Sequence, residues 1–237
     1  RKVYETLADD FSREVYIERM KRVYLLNDMT AIVSPPEELY FDARHVLTGE
    51  EVFVDCGAFV GDSLERYIWK KDGVFNKIIA FEPDKNNYCS LKTRITRLRE
   101  EWNFRPEQIE IYPYGVSASS TYASVEQDLM NNGLSSKITE GIVEDCEGCR
   151  IVAIDDFIKE PVFFIKADIE SYEYKMLLGA RQSIEKNHPL LAVCIYHNAI
   201  DMYDIPLLIN TIVPEYKIQI RHHTDSLEET VLYAWME

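Results

Sequence analysis

The chain has 237 residues, 46% of them hydrophobic, enough for one large domain with a full core and too apolar for a disordered polypeptide. Its net charge of −15 argues against a nucleic-acid backbone as partner and suits a cationic ligand or a solubilising surface. No apolar run reaches membrane-spanning length and no signal-peptide pattern is visible, while five scattered cysteines, an odd number, point to a reducing, cytoplasmic setting.

The first thirty residues carry apolar positions at helical spacing: Tyr4, Leu7 and Phe11, then Tyr16, Met20 and Val23, with Asn27 continuing the row. Two amphipathic helices are predicted, for packing or for a homodimer contact, with a substrate lid as the alternative. Ser34-Pro35-Pro36 ends them, and Glu37 to Leu47 is an approach segment with Tyr40, Phe41 and His45. Residues 1–49 thus read as an N-terminal extension and 50–237 as one α/β domain.

Val52-Phe53-Val54 opens a buried strand. A loop with Gly57 and Gly61 follows, then Asp62 and Ser63, two residues suited to N-cap the next helix. Leu64, Tyr67 and Ile68 give that helix its buried face, and Asp72-Gly73 ends it. Lys77 to Phe81 is a second strand with Glu82-Pro83-Asp84 at its carboxyl end. Tyr88, Leu91, Ile95, Leu98 and Trp102 mark the clearest helix, its basic residues forming a solvated face. Ile109 to Val116 is a third strand. The stretch 117–150 shows no helical period and reads as a long loop. Within it, Cys146-Glu147-Gly148-Cys149 is a lone pair without the second pair that zinc requires, and is expected to be a plain turn. Ile151 to Ile154 is a short strand. Val162 to Glu170 is the fourth core strand, with the carboxylates Asp168 and Glu170 at its end, and one helix with Met176, Leu177, Ala180 and Ile184 buried comes next. Pro189 to His197 is the fifth core strand, ending in the histidine. A helix with Ile205, Leu208, Ile209 and Ile212 has Pro206 in its first turn. Tyr216 to Arg221 and Thr230 to Trp235 are too close in sequence for a crossover and should pair antiparallel. Strands alternating with helices indicate a mostly parallel sheet with helices on both faces and a C-terminal antiparallel hairpin.

In open α/β sheets ligands bind outside the carboxyl ends of the strands. Asp55, Glu82, Asp168, Glu170 and His197 should therefore share one rim. Glu82 can accept hydrogen bonds from the vicinal hydroxyls of a ribose. A dinucleotide loop needs G-x-G-x-x-G, whereas here Asp55-x-Gly57-x-x-x-Gly61 lacks the third glycine and sets an acid where a pyrophosphate would lie. Asp55 favours a cationic ligand, and S-adenosyl-L-methionine, with its ribose, amino-acid tail and sulfonium, fits. An NAD-dependent oxidoreductase on a similar sheet and a non-catalytic binding module are the alternatives. Methyl transfer to oxygen needs a base for the hydroxyl proton. His197 is the first candidate, then Asp168 and Glu170, with Lys166 on the same strand face as a partner that keeps the acids ionised. Asp168, Glu170 and His197 could also ligate a divalent ion, but three rim residues do not define a site, and no metal is expected. Adjacent strand residues point to opposite sides, so one of His222 and His223 could face the pocket.

The motifs Phe53 to Ser63, Phe81-Glu82-Pro83-Asp84, Ile154-Asp155-Asp156-Phe157, Phe164 to Glu170 and Glu229 to Ala234 resemble, in this order, those of FkbM-type methyltransferases of the class I S-adenosylmethionine-dependent family. The resemblance covers about residues 50 to 235 and implies a Rossmann-like, seven-stranded sandwich. It implies that Asp55, Gly57, Ala58, Phe59, Gly61, Asp62 and Ser63 hold the methionine portion. Glu82 would bind ribose, with Pro83 and Asp84 beside the adenosine and Gly115, Val116 and Ser117 near adenine. Asp168 would help hold the cofactor tail or the substrate. The acceptor implied is a hydroxyl on a small molecule or glycan, commonly a sugar or secondary metabolite. One departure stands out: the family pattern has glycine after the fourth-strand glutamate, and here Ser171 occupies that place.

Overall fold

The computed structural model describes residues 1–25, 32–41, 52–127, 136–140 and 149–236; Asn27, His45 and Cys146 lie outside the described residues. Two helices come first, α1 (Lys2–Thr6) and α2 (Asp10–Leu25). Their buried face differs from the predicted one. Tyr4 and Phe11 are each 39% exposed, whereas Val3, Leu7, Val15 and Tyr16 are buried together with Ser12 and Arg19. Ser12 Oγ accepts from the Ile220 amide at 3.1 Å and from Arg221 at 2.7 Å, and Arg221 pairs with Asp9 at 2.7 Å. Polar contacts therefore dock α2, and an apolar period does not register them. Between the two helices Leu7 bridges Ile218, and the Ala8 amide donates to the Ile218 carbonyl at 2.8 Å.

β1 (Val52–Cys56), α3 (Asp62–Lys70), β2 (Lys77–Phe81) and α4 (Lys85–Trp102) follow as predicted. β3 (Ile109–Tyr112) then stops, and β4 (Tyr114–Val116) joins a different sheet. The single strand expected over 109–116 breaks at Pro113, which has no N–H to give to a ladder. The expected loop 117–150 carries β5 (Thr121–Gln127), β6 (Ser136–Glu140) and the start of β7 (Cys149–Val152). With β4 these form a four-stranded sheet in the order β4-β7-β5-β6. Thr121 to Gln127 lacks a helical period because Ala123 and Val125 alternate with Ser124 and Glu126 at the period of a strand.

The remaining elements are α5 (Ile154–Phe157), β8 (Phe164–Ala167), α6 (Glu173–Gly179), α7 (Arg181–Asn187), β9 (Leu190–Cys194), α8 (Asp201–Ile212), β10 (Lys217–His222) and β11 (Thr230–Trp235). The one helix predicted after β8 is two, interrupted at Ala180. Pro206 stands in the second turn of α8 rather than the first.

The main sheet has seven strands in the order β10-β11-β9-β8-β1-β2-β3. β1 lies parallel to β2 on one side (Val54 beside Ile79) and to β8 on the other (Val54 beside Ile165). β11 is antiparallel to both β9 and β10 and is the one reversed strand in this sheet. The predicted hairpin is therefore present, with its second strand inserted next to β9. Because the chain moves from β1 to β2 and β3 and then returns to β8, the order switches between β1 and β8, and a crevice must open above their carboxyl ends.

Alternation along the strands divides the core. Val54, Cys56, Ile79, Phe81 and Ile165 face α5, α6, α7 and α8; Phe53, Ile78, Ala80 and Phe164 face α3 and α4. On the second face Phe53 stacks on Phe164 at 4.7 Å and meets Tyr67 at 4.6 Å. Such pairs add about 0.5–1.5 kcal/mol each beyond simple burial. Phe53→Ala should lower unfolding stability by about 3–5 kcal/mol in a urea titration, because rigid neighbours cannot collapse onto the void. A loss below 1 kcal/mol would mean that this cluster does not pin β1 to β8.

Candidate active site

The rim begins with the turn after β1. Gly57 adopts φ +79°, and a Cβ there would lie 1.9 Å from the Asp168 carbonyl oxygen, so only glycine lets the β1 and β8 ends come this close. Gly61, also in the left-handed region, stands at the N-cap position of α3, and Asp62 and Ser63 are the first two helical residues instead of its caps. Their amides sit where helix N–H groups have no intrahelical partner.

Asp55 lies beneath this turn rather than in the crevice. It shares the Phe53 face of β1 and is fully buried, with Ser63 Oγ at 2.5 Å and the Lys166 ammonium at 3.0 Å. Lys166 Nζ also donates to the Gly57 carbonyl at 2.6 Å. Burial alone would lower the Lys166 pKa, but Asp55 and Asp168 raise it above its ordinary value and keep the ammonium charged. Asp55 is thus a support for the loop.

A cavity of about 370 Å³ opens over this floor. Gly57, Phe59, Asp62, Ser63, Glu82, Pro83, Gly115, Val116, Asp168 and Glu170 line it as expected from sequence. Ala58 is instead fully buried in the α3–α4 face of the core. Asp84 caps α4, accepting from the Asn86 and Asn87 amides at 2.9 Å each. Glu82 is fixed through both oxygens: Oε2 accepts from the Phe59 amide at 2.8 Å and Oε1 from the Asp84 amide at 2.9 Å. Each oxygen keeps a lone pair for a further donor. Burial pushes the Glu82 pKa up to about 7 despite those amides.

His197 does not line the cavity. Its side chain is 7% exposed and lies between acids, with Nδ1 3.0 Å from Glu173 and Nε2 3.3 Å from Asp168 and 3.8 Å from Glu170. Burial would lower its pKa, but Glu173, Asp168 and Glu170 raise it to about 9, so the imidazole is protonated at neutral pH. Asp168, Glu173 and His197 are also the one group of described residues whose ligand-type atoms gather within 4.8 Å. Asp168 accepts from Tyr40 at 2.8 Å and from Tyr196 at 3.1 Å. Its burial is outweighed by Lys166, His197 and Tyr40, which hold the carboxyl below its usual range. Neither His222 nor His223 faces the cavity. His222 meets Thr230 at 2.9 Å and Arg19 at 3.2 Å, and His223 meets the Pro35 carbonyl at 3.0 Å and Tyr233 at 3.2 Å.

Sequence reasoning missed Tyr40, Glu173 and Glu229. Glu229 lines the cavity, and burial followed by the Asp168 charge raises its pKa to about 7. Glu173 carried a usable signal: an acid in register with Met176, Leu177 and Ala180 on an apolar stripe must have a buried partner. The four described cysteines, Cys56, Cys89, Cys149 and Cys194, are free thiols.

A crevice at the switch point of a seven-stranded, mostly parallel sheet with one reversed strand is that of a Rossmann-like methyltransferase. A family model described as the methyltransferase FkbM domain matches residues 55–221, and the chain belongs to this family. It is similar to a crystal structure of methyltransferase FkbM from Methylobacillus flagellatus KT, with 27% identity and a TM-score of 0.79 over 99% of this chain. The match spans 57% of that longer protein. A proposed rRNA methylase from Clostridium thermocellum shares the fold alone, at 10% identity and a TM-score of 0.50 over 82% of this chain and 90% of its own. Curated protein sequences give no match.

Glu170 and Ser171 both adopt left-handed backbone, φ +53° and φ +79°, a conformation that glycine takes without strain and serine does not. Ser171→Gly should therefore raise stability by up to about 1 kcal/mol in denaturant unfolding; destabilisation would show that Ser171 is not strained. The His197 contribution to stability is present below about pH 6.5 and is lost as pH rises toward about 9. Glu82 and Glu229, raised from 4.5 to about 7, lose theirs in the window below that. His197→Gln should flatten the fall in melting temperature between pH 7 and pH 9, and an unchanged slope would contradict a protonated His197.

Proposed function

We propose that the protein transfers a methyl group from S-adenosyl-L-methionine to a hydroxyl oxygen of a small-molecule or glycan acceptor. The observation that carries this reading is Glu82, a carboxylate clamped by two backbone amides with both oxygens still open to donors at the rim of the cavity. This is the arrangement that two neighbouring ribose hydroxyls require. The first amides of α3, beside Asp62 and Ser63, suit the carboxylate of an amino-acid tail. Glu82, Asp168, Glu170 and Glu229 make the lining acidic. That charge favours a cationic cofactor and opposes the pyrophosphate of a dinucleotide.

When bound, the cofactor supplies an electrophilic methyl on a sulfonium. The chain's own task is to orient the acceptor oxygen in line and to take its proton. His197 already carries a proton and has carboxylates on both ring nitrogens, so it acts here as the cation that holds Asp168 and Glu173 in position. The proton passes to a cavity carboxylate. Glu229 suits this role, because its pKa near 7 leaves both protonation states populated at neutral pH. Asp168, kept ionised, orients the hydroxyl, with Glu170 at the outer edge.

S-adenosyl-L-methionine should raise the melting temperature and NAD should not. Glu82→Ala should weaken cofactor affinity about tenfold or more while leaving the far-ultraviolet spectrum unchanged. Stabilisation by NAD alone, or wild-type affinity in that variant, would remove the ribose assignment. Incubation of hydroxylated acceptors with isotope-labelled cofactor then reads out the acceptor class.

A further inference from the structure

A second cavity, of about 200 Å³, lies between α2 and the loop joining β9 to α8, outside the cofactor crevice. Arg19 and Arg22 form one wall; Tyr196, Asn198, Met202 and Thr230 complete it. Arg19 is 1% exposed, although arginine is almost never fully buried unless paired. Among the described residues its guanidinium meets uncharged acceptors: the Ser226 carbonyl at 3.2 Å, the Leu227 carbonyl at 2.6 Å and the His222 ring at 3.2 Å. His222 is neutral there, since burial and the Arg19 charge lower its pKa to about 4. Arg22 donates to the Asp225 carbonyl at 3.0 Å. Among the described residues neither guanidinium has a carboxylate at ion-pair distance, and Glu18 acts on Arg19 only through its field.

Two donor groups are left over. Arg19 Nε and Arg22 Nη1 are both buried and have no hydrogen-bond partner among the described residues. The two Glu18 carboxylate oxygens are likewise buried without a hydrogen-bond partner among the described residues and offset part of the Arg19 charge through space, while each unsatisfied buried donor still calls for a water or ion. Two cations side by side with free donors favour an anion over a water, and the fork of an arginine matches the oxygens of a tetrahedral oxyanion. The positive wall is the more conspicuous in a chain of net charge −15.

We propose that this cavity binds a phosphate-class oxyanion, as a free ion or as the monoester group of a larger molecule, through Arg19 and Arg22. The cavity shares Tyr196 with the active site, where the same side chain donates to Asp168, so an anion here sits one residue away from the acceptor's orienting acid.

The test is a thermal-shift and calorimetric titration with inorganic phosphate, against sodium chloride at equal ionic strength. Wild-type protein should be stabilised by phosphate beyond the chloride control. Arg22→Gln should weaken phosphate binding about tenfold or more. Ala199→Glu, an exposed change at the cavity mouth, should abolish the shift by adding a competing anion without touching the core. Glucose 1-phosphate separates the two sources. Binding tighter than that of phosphate identifies a monoester ligand, and equal binding identifies the free ion. No phosphate shift in wild-type protein, or an equal shift in both variants, overturns the proposal. Cofactor titration of the same samples reads the crevice independently, so loss of one result does not imply loss of the other.

Discussion

The ion pair between Lys166 and Asp55 is the contact on which the site rests. It joins adjacent strands, β8 and β1, at the level where both end, and Lys166 extends the link to the Gly57 carbonyl. A buried pair of this kind is not itself a large source of stability, because both charges had to leave water. Its value lies in what breaking it would cost: one charge left alone in the core is worth about 3–5 kcal/mol of destabilisation. The pair therefore excludes other courses for the loop. With the loop fixed, Phe59 can hold Glu82, and the carboxylate at the end of β2 is aimed across the crevice.

A second charge network completes the rim. Asp168 has Lys166 below it and His197 beside it, and Tyr40 and Tyr196 each donate to it. His197 in turn stands against Glu173, which also accepts from the Ile169 amide at 2.8 Å. The acids at this end of the sheet are thus divided by function. Asp55 and Glu173 are consumed within the protein, while Glu82, Asp168, Glu170 and Glu229 reach the cavity.

Much of this was legible in the sequence because the core strands are short apolar runs that end in acids, and the rule for α/β sheets brings those ends together. What escaped detection has definite causes. The second sheet leaves no helical period in residues 117–150, and its sign in the sequence is the alternation of Thr121 to Gln127. Pro113 was the available sign that the third strand stops early. Asp55 was expected in the pocket, yet the alternation of Val52, Val54 and Cys56 against Phe53 already set it on an inward face. The protonation of His197 was not readable, because it depends on Glu173, held on α6 by packing. The burial of Arg19 and Ser12 depends likewise on a long-range contact between α2 and β10, to which hydropathy is blind.

The contact of Leu7 and Ala8 with Ile218 has a consequence for how the molecule behaves among its own copies. An outermost strand with unsatisfied amides is a template for another polypeptide, and a hydrophobic one invites fibrous association. Here the N-terminal segment covers part of that template at β10. At the opposite margin β3 is brief, carries Glu110 paired with Lys77, and is followed at once by Pro113. Each side of the sheet therefore has its own guard against intermolecular pairing, one supplied by the segment at Leu7 and Ala8 and the other by charge and an imino acid.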